Sequence, residues 1–199
     1  MKSLCLSFLA IVLLAGPSYS ASDKEIILSF LNQKKARNAL DYALSKSEGY
    51  INDSHYHFLL GRAYQELKLN VESLQHYSES IALDRSNYKS LINRALVKGA
   101  LGNLRSATLD LKQALKINSK SKDAYLNLGF TLAAQNNPQK AIKAFTQALQ
   151  LEPNFPEALR NRGITNYHLG NKAKACLDWR KSIQLKKDEI QNWINKYCD

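Results

Sequence analysis

An all-α solenoid of paired antiparallel helices is the fold this sequence predicts, and three observations predict it. Apolar residues recur three and four positions apart in short blocks: Tyr125, Leu128 and Leu132, then Ala141, Ile142, Phe145, Ala148, Leu149 and Leu151. That spacing buries one face of a helix. Asn136, Asn137 and Pro138 separate the two blocks, and Pro153 closes the second; proline suits a first helical position, where no backbone donor is needed. The layout also returns every 34 residues, the sign of a stack of like units. Leu128-Gly129 aligns with Leu60-Gly61, Arg94-Ala95 and Arg162-Gly163. Ala141 aligns with Ser73, Ala107 and Ala175; Phe145 with Tyr77, Leu111 and Trp179; Ala148 with Ser80, Ala114 and Ser182.

These residues resemble the tetratricopeptide repeat (TPR) family, whose pattern is an aromatic, Leu-Gly, Tyr, then Ala, a large aromatic, Ala and Pro. The stretch Lys122–Phe155 supplies Tyr125, Leu128-Gly129, Ala141, Phe145, Ala148 and Pro153, with Leu132 where Tyr is usual. Ser54–Asn87 has Leu60-Gly61, Tyr64 and Tyr77 but serine at both later small positions. Tyr88–Ser121 has Ala95 for Gly and Lys98 for Tyr, and the last unit has Gly163 and Trp179 with its tyrosine one place late at Tyr167. The resemblance implies a TPR superhelical solenoid.

Taken in order, residues 1–20 read as a secretory signal peptide. Lys2 gives a positive start, Leu4–Ala15 is apolar apart from Ser7, and Ser18 and Ser20 place small residues before a cut ahead of Ala21. The apolar run is shorter than the roughly 20 residues of a spanning helix, and Cys5 does not sit at the cut as a lipid anchor requires. The protein is therefore expected outside the cytoplasm, periplasmic or secreted, with no membrane span after cleavage. The 199 residues carry 28 basic and 17 acidic side chains, net +11. Cleavage removes only Lys2 from that balance and leaves +10. Such a surplus favours acidic partners or peripheral contact with anionic surfaces; export disfavours nucleic acid.

Residues 21–53 predict a degenerate N-terminal helix pair. Ser22 and Glu25 have capping-box spacing before Ile26, Ile27, Phe30 and Leu31. A second run follows at Ala36, Ala39, Leu40, Ala43 and Leu44, and Ala39 lies 34 before Ser73. Full units follow at 54–87, 88–121, 122–155 and 156–187. Gly102 and Gly170 mark turns, where glycine tolerates the left-handed conformation. Asp188 and Gln191 cap a final helix, 188–199, whose Ile190, Trp193, Ile194 and Tyr197 should cover the last open face.

The chain holds no catalytic constellation. No two of its four histidines, His55, His57, His76 and His168, stand three or four apart, and no phosphate-cradling loop or nucleophile elbow is present. A non-enzymatic protein without cofactor or metal is expected. Cys176 and Cys198 remain after cleavage, an even count that in an exported protein suggests a disulfide. Antiparallel stacking would bring the end of the capping helix to the start of its predecessor; two reduced thiols are the alternative.

Binding residues come from the family register, which places the first helix of each unit on a concave groove. Asn93, Asn127 and Asn161 hold one place in three successive units. An amide both donates and accepts, so the row can hold the backbone of an extended peptide. Ile92, Leu96, Leu126 and Phe130 would add apolar contact and Arg62 and Arg160 would select acidic flanks, with Phe58, Lys89, Ile164 and His168 as further groove places. The full basic set of a carboxylate-clamping TPR is missing, since Phe58 and Ile92 stand where its first lysine would. The expected function is a non-enzymatic scaffold binding a protein or peptide segment in that groove. The alternative is a structural assembly subunit of an envelope complex that docks through its basic convex or terminal surfaces.

Overall fold

A computed structural model describes residues 21–185 and 191–198. The expected signal peptide, Asp188 and Ile190 lie outside the described residues. Among the described residues the elements are eleven α-helices and one short 3-10 turn, in the order α1 (Ala21–Asn32), α2 (Ala36–Ser45), the turn Ser47–Gly49, α3 (Ser54–Glu66), α4 (Asn70–Leu83), α5 (Tyr88–Ala100), α6 (Leu104–Ile117), α7 (Lys122–Ala134), α8 (Pro138–Leu151), α9 (Pro156–His168), α10 (Lys172–Leu185) and α11 (Gln191–Tyr197). The fold is a TPR solenoid. Helix α1 runs through Ser22 instead of starting after it, so a cap at Ser22 is not how this helix begins.

Local chemistry repeats with the helices. Asp53, Asn87 and Ser121 accept from the backbone N–H three residues on, of Tyr56, Ser90 and Ala124. Each satisfies one of the orphan donors of a first helix. Phe155 holds the fourth such place, and there Pro156 at the start of the helix lacks a donor to satisfy. Positive φ occurs at Lys34, Lys68, Gly102, Asn136 and Gly170, all 34 apart. The turn between paired helices thus demands a left-handed residue in every unit, including the N-terminal pair, and only two of the five are glycine.

Paired helices approach closely at the small positions. Ala107, Ala141, Ala175, Ala114 and Ala148 have no exposed surface, nor do Ser73, Ser80 and Ser182. A serine fits the space of an alanine if its hydroxyl finds a partner. Ser73 Oγ donates to the Gly61 carbonyl at 2.9 Å, Ser182 Oγ to that of Pro156 at 3.1 Å, and Ser80 Oγ meets Ser90 Oγ at 2.7 Å. Opposite the Gly positions lie rings. A Cβ on Gly61 would stand 2.6 Å from the Tyr77 ring, one on Gly129 2.5 Å from Phe145, and one on Gly163 2.5 Å from Trp179. In the second unit Ala95 replaces glycine, and the large residue there is Leu111, not a ring.

The core is a string of clusters along the stack, as expected where each unit buries its face on its neighbours. The last cluster is closed by α11 through Ile194, 8% exposed, and by Tyr197, whose ring lies 4.8 Å from that of Tyr167. Trp193 contributes less cover than expected: it meets Trp179 edge-on at 5.7 Å yet stays 42% exposed. Cys176 and Cys198 form a disulfide with Cα atoms 5.6 Å apart, which pins α11 to α10.

Successive first helices touch one another, α3 with α5, α5 with α7 and α7 with α9, whereas the second helices α4, α6, α8 and α10 make no comparable contact among themselves. The stack therefore curves with first helices on its inner face and second helices splayed on the outer one.

Candidate functional site

The inner face holds an open pocket of about 630 Å³ along α3, α5 and α7. Seven of the expected groove residues meet there: Phe58, Arg62, Lys89, Ile92, Asn93, Leu96 and Asn127. Their depths differ from the expectation. Phe58 and Ile92 are each only 8% exposed and belong to core clusters, so they floor the pocket and offer little surface of their own. Leu96 is 39% exposed and Phe130 61%, and these are the apolar side chains a ligand would meet. Leu126 is half-buried between two clusters.

The asparagines are not equivalent. Asn93 and Asn127 are half-exposed and neither side-chain amide makes a hydrogen bond to another described residue, so both amides are available. Asn161 instead donates from Nδ2 to the Glu157 carbonyl of its own helix at 2.8 Å. Its donor is engaged, which leaves its oxygen for a partner. Arg160, Ile164 and His168 lie farther along α9, His168 exposed at its end with its ring edge-on to Tyr167 at 6.2 Å; the pocket does not include them.

Charge in the pocket comes from Arg62 and Lys89. Arg62 approaches Glu66 only at 4.0 Å. His55 also lines the pocket, but burial first and the Lys24 charge next hold its imidazole below the usual range, so it enters as a neutral donor or acceptor. Asp123 at the far rim is the one acid lining it. The result is an apolar floor, two available amides and a positive end.

Two arrangements were missed in the sequence. Arg94 makes a bidentate pair with Asp110, Nε to Oδ2 at 2.9 Å and Nη2 to Oδ1 at 2.8 Å, and its Nη1 donates to Ser78 Oγ at 3.0 Å. Arg162 does the same with Asp178, at 2.8 and 2.7 Å, and with Thr146 Oγ1 at 3.1 Å. Each arginine thus reaches between two second helices and ties them. Lys98 Nζ adds a third donor to Asp110 at 2.7 Å. The signal was present: Arg and Asp recur together 68 positions apart, with a hydroxyl residue, Ser78 and then Thr146, at the third place.

The other is a histidine pair. His57 Nε2 lies 2.9 Å from the Ile51 carbonyl, which can only accept, so that nitrogen carries the proton. His57 Nδ1 then accepts, and His76 Nδ1 donates to it across 3.0 Å. The Tyr64 ring stacks on His76 at 5.2 Å. Burial pushes His76 down to about 4. Among the described residues no group of three or more His, Cys, Asp or Glu could hold a metal, and no helix is long and apolar enough to cross a membrane.

A comparison with curated proteins gives no match. Among solved structures, PilF of Pseudomonas aeruginosa superposes with a TM-score of 0.80 at 16% identity, covering 87% of this chain and 79% of that one. MamA gives 0.71 at 18% identity, covering 86% and 98%. YrrB, described as a TPR protein with an unusual peptide-binding site, gives 0.68 at 17% identity, covering 89% and 92%. At these identities the likeness is one of fold. The tetratricopeptide repeat family matches residues 123–155, the unit with the most complete pattern, so the chain carries a tetratricopeptide repeat there and is similar to TPR proteins in its fold.

Proposed function

We propose that the protein is a non-enzymatic scaffold for protein–protein interaction that binds an extended segment in its inner groove. The observation that supports this most is the coincidence, in one open pocket, of two side-chain amides unpaired among the described residues, Asn93 and Asn127, with exposed Leu96 and the cations Arg62 and Lys89. An amide pair on successive repeats can bond a peptide backbone whatever its sequence, while the cations select acidic flanks. The likeness in fold to YrrB, a TPR protein with an unusual peptide-binding site, supports this reading.

The test begins with selection of binders from a displayed library of random peptides. Each amide hydrogen bond is worth roughly 0.5–1.5 kcal/mol net. Changing Asn93→Ala and Asn127→Ala together should therefore weaken a selected peptide by about 5- to 150-fold, with the melting temperature unmoved because both side chains are half-exposed. Asn161→Ala should cost less, its donor being engaged within α9. Unchanged affinity in the double variant overturns the groove reading. The assembly-subunit alternative makes the opposite forecast: reversing Lys174 and Lys181 removes the partner and the asparagine changes do not.

We further propose export through residues 1–20 with cleavage before Ala21, supported by the composition of that segment. Intact mass of the exported protein checks it; a chain still beginning at Met1 contradicts it.

A further inference from the structure

The outer face carries a run of exposed cations. Helix α6 has three Lys or Arg, α8 has two and α10 has four, and all of them are exposed. The acids of these three helices are Asp110 and Asp178 alone, 5% and 7% exposed. Both face inward and are neutralised by Arg94 and Arg162. No acid on these helices offsets the outer cations. This is not a general property of the stack, since α4 carries Glu72 and Glu79 and no Lys or Arg.

Apolar residues interrupt the cations in register. Leu109, Lys143 and Leu177 hold one outward place on α6, α8 and α10, and the two leucines are 68% and 69% exposed. Lys140 and Lys174 lie one turn before that place, and Lys181 one turn after it. We propose that α6, α8 and α10 form a docking face for an anionic lipid bilayer, with these lysines at the headgroup phosphates and Leu109 and Leu177 at the acyl boundary.

The distribution of charge favours a bilayer over the other anionic partners. The cations sit on separate helices that do not pack on one another, so they match a fluid array of headgroups better than a fixed constellation of carboxylates. Long lysine stems can lie along the apolar boundary while their ammonium groups reach phosphate. The aromatic residues of the three helices, Phe145 and Trp179, are buried, so the face lacks the rings on which single-stranded bases stack. Attraction of this kind is screened by salt.

The test is co-sedimentation of the full chain with vesicles of phosphatidylcholine alone and of phosphatidylcholine mixed with phosphatidylglycerol. The readout is the ratio between them, which cancels any contribution of the apolar N-terminal segment common to both. The expected result is a preference of tenfold or more for the anionic vesicles, by the roughly 1 kcal/mol per surface cation, falling as salt shortens the Debye length to about 8 Å. Changing Lys140→Gln, Lys143→Gln, Lys174→Gln and Lys181→Gln together should reduce that preference by at least about 10-fold. The pair Lys143→Gln and Lys181→Gln should give an intermediate loss, and serves if the fourfold variant folds poorly. Asn93→Ala with Asn127→Ala should leave it intact. Retention of the preference in both lysine variants overturns the proposal. So does release of the protein from anionic vesicles by duplex DNA or by an acidic polypeptide at equal charge concentration.

Discussion

In the third unit Leu128 and Ala144 hold the places that Arg94 and Asp110 hold in the second, and Arg162 and Asp178 in the fourth. All three units keep the same small and large positions around this spot, with Ala107, Ala141 and Ala175 fully buried. One joint is apolar and inert; the other two are buried ion pairs whose arginines also reach the preceding second helix. The apolar joint relies on packing alone. The charged joints add a tie between neighbouring units, but they depend on both partners being present, because a buried charge without its mate is costly.

The largest effect should come from breaking a charged joint on one side. Asp110→Ala leaves Arg94 and Lys98 facing each other without their acceptor, and should cost about 3–5 kcal/mol in thermal or urea unfolding. A loss below about 1 kcal/mol would mean that water replaces the carboxylate without penalty. At the apolar unit, Ala141→Leu should overpack a site with no exposed surface and cost roughly 1–3 kcal/mol. If that variant melts with the parent, the helix pair is looser there than its contacts indicate.

Importing the third unit's solution into the fourth, by Arg162→Leu with Asp178→Ala, should bring stability within about 1 kcal/mol of the parent, because replacing both members of a buried pair with apolar groups is often neutral. Asp178→Ala alone should be far worse, and a double variant as damaged as the single one would show that the joint tolerates only charge. The first unit gives the smallest and most conditional effect. It places His76 where the others place Asp110, Ala144 and Asp178. The folded state holds that imidazole neutral down to about 4, against an ordinary 6.5. The unfolded chain therefore binds its proton first, and stability that is full above about 6.5 is lost as pH falls toward 4. Melting temperature followed over that range should decline less in His76→Ala; parallel declines would assign the effect to other groups.

Much of the fold was legible because packing repeats. The buried alanines, the Gly-to-ring pairs and the turn glycines each recur at a fixed step, and each answers one steric demand. What escaped was chemistry that crosses between helices. Arg94 and Asp110 are 16 residues apart, His57 and His76 are 19 apart, and a rule about faces of one helix sees neither. The left-handed turns at Lys34 and Lys68 escaped because no glycine advertises them. In the groove, the register named seven of the side chains that line the pocket between Phe58 and Asn127, but neither Tyr88, Asn118, Ser121 and Asp123 beside them nor the depth of any. Phe58 and Ile92 lie on its floor because neighbouring units pack over them, and Asn161 turns to its own helix.

The rings over Gly61, Gly129 and Gly163 also constrain how such a chain can change over generations. A methyl group at Gly129 meets Phe145 at 2.5 Å, so alanine there is barred while the ring remains. Once the ring has given way to leucine, the methyl fits, and the second unit, with Ala95 and Leu111, stands at that end point. The reverse journey has the same gate: a ring cannot enter opposite Ala95 until the methyl has left. Two positions 16 residues apart must therefore be exchanged in a set order. A lineage drifting one substitution at a time passes through the glycine–leucine state, a unit briefly underpacked, in both directions.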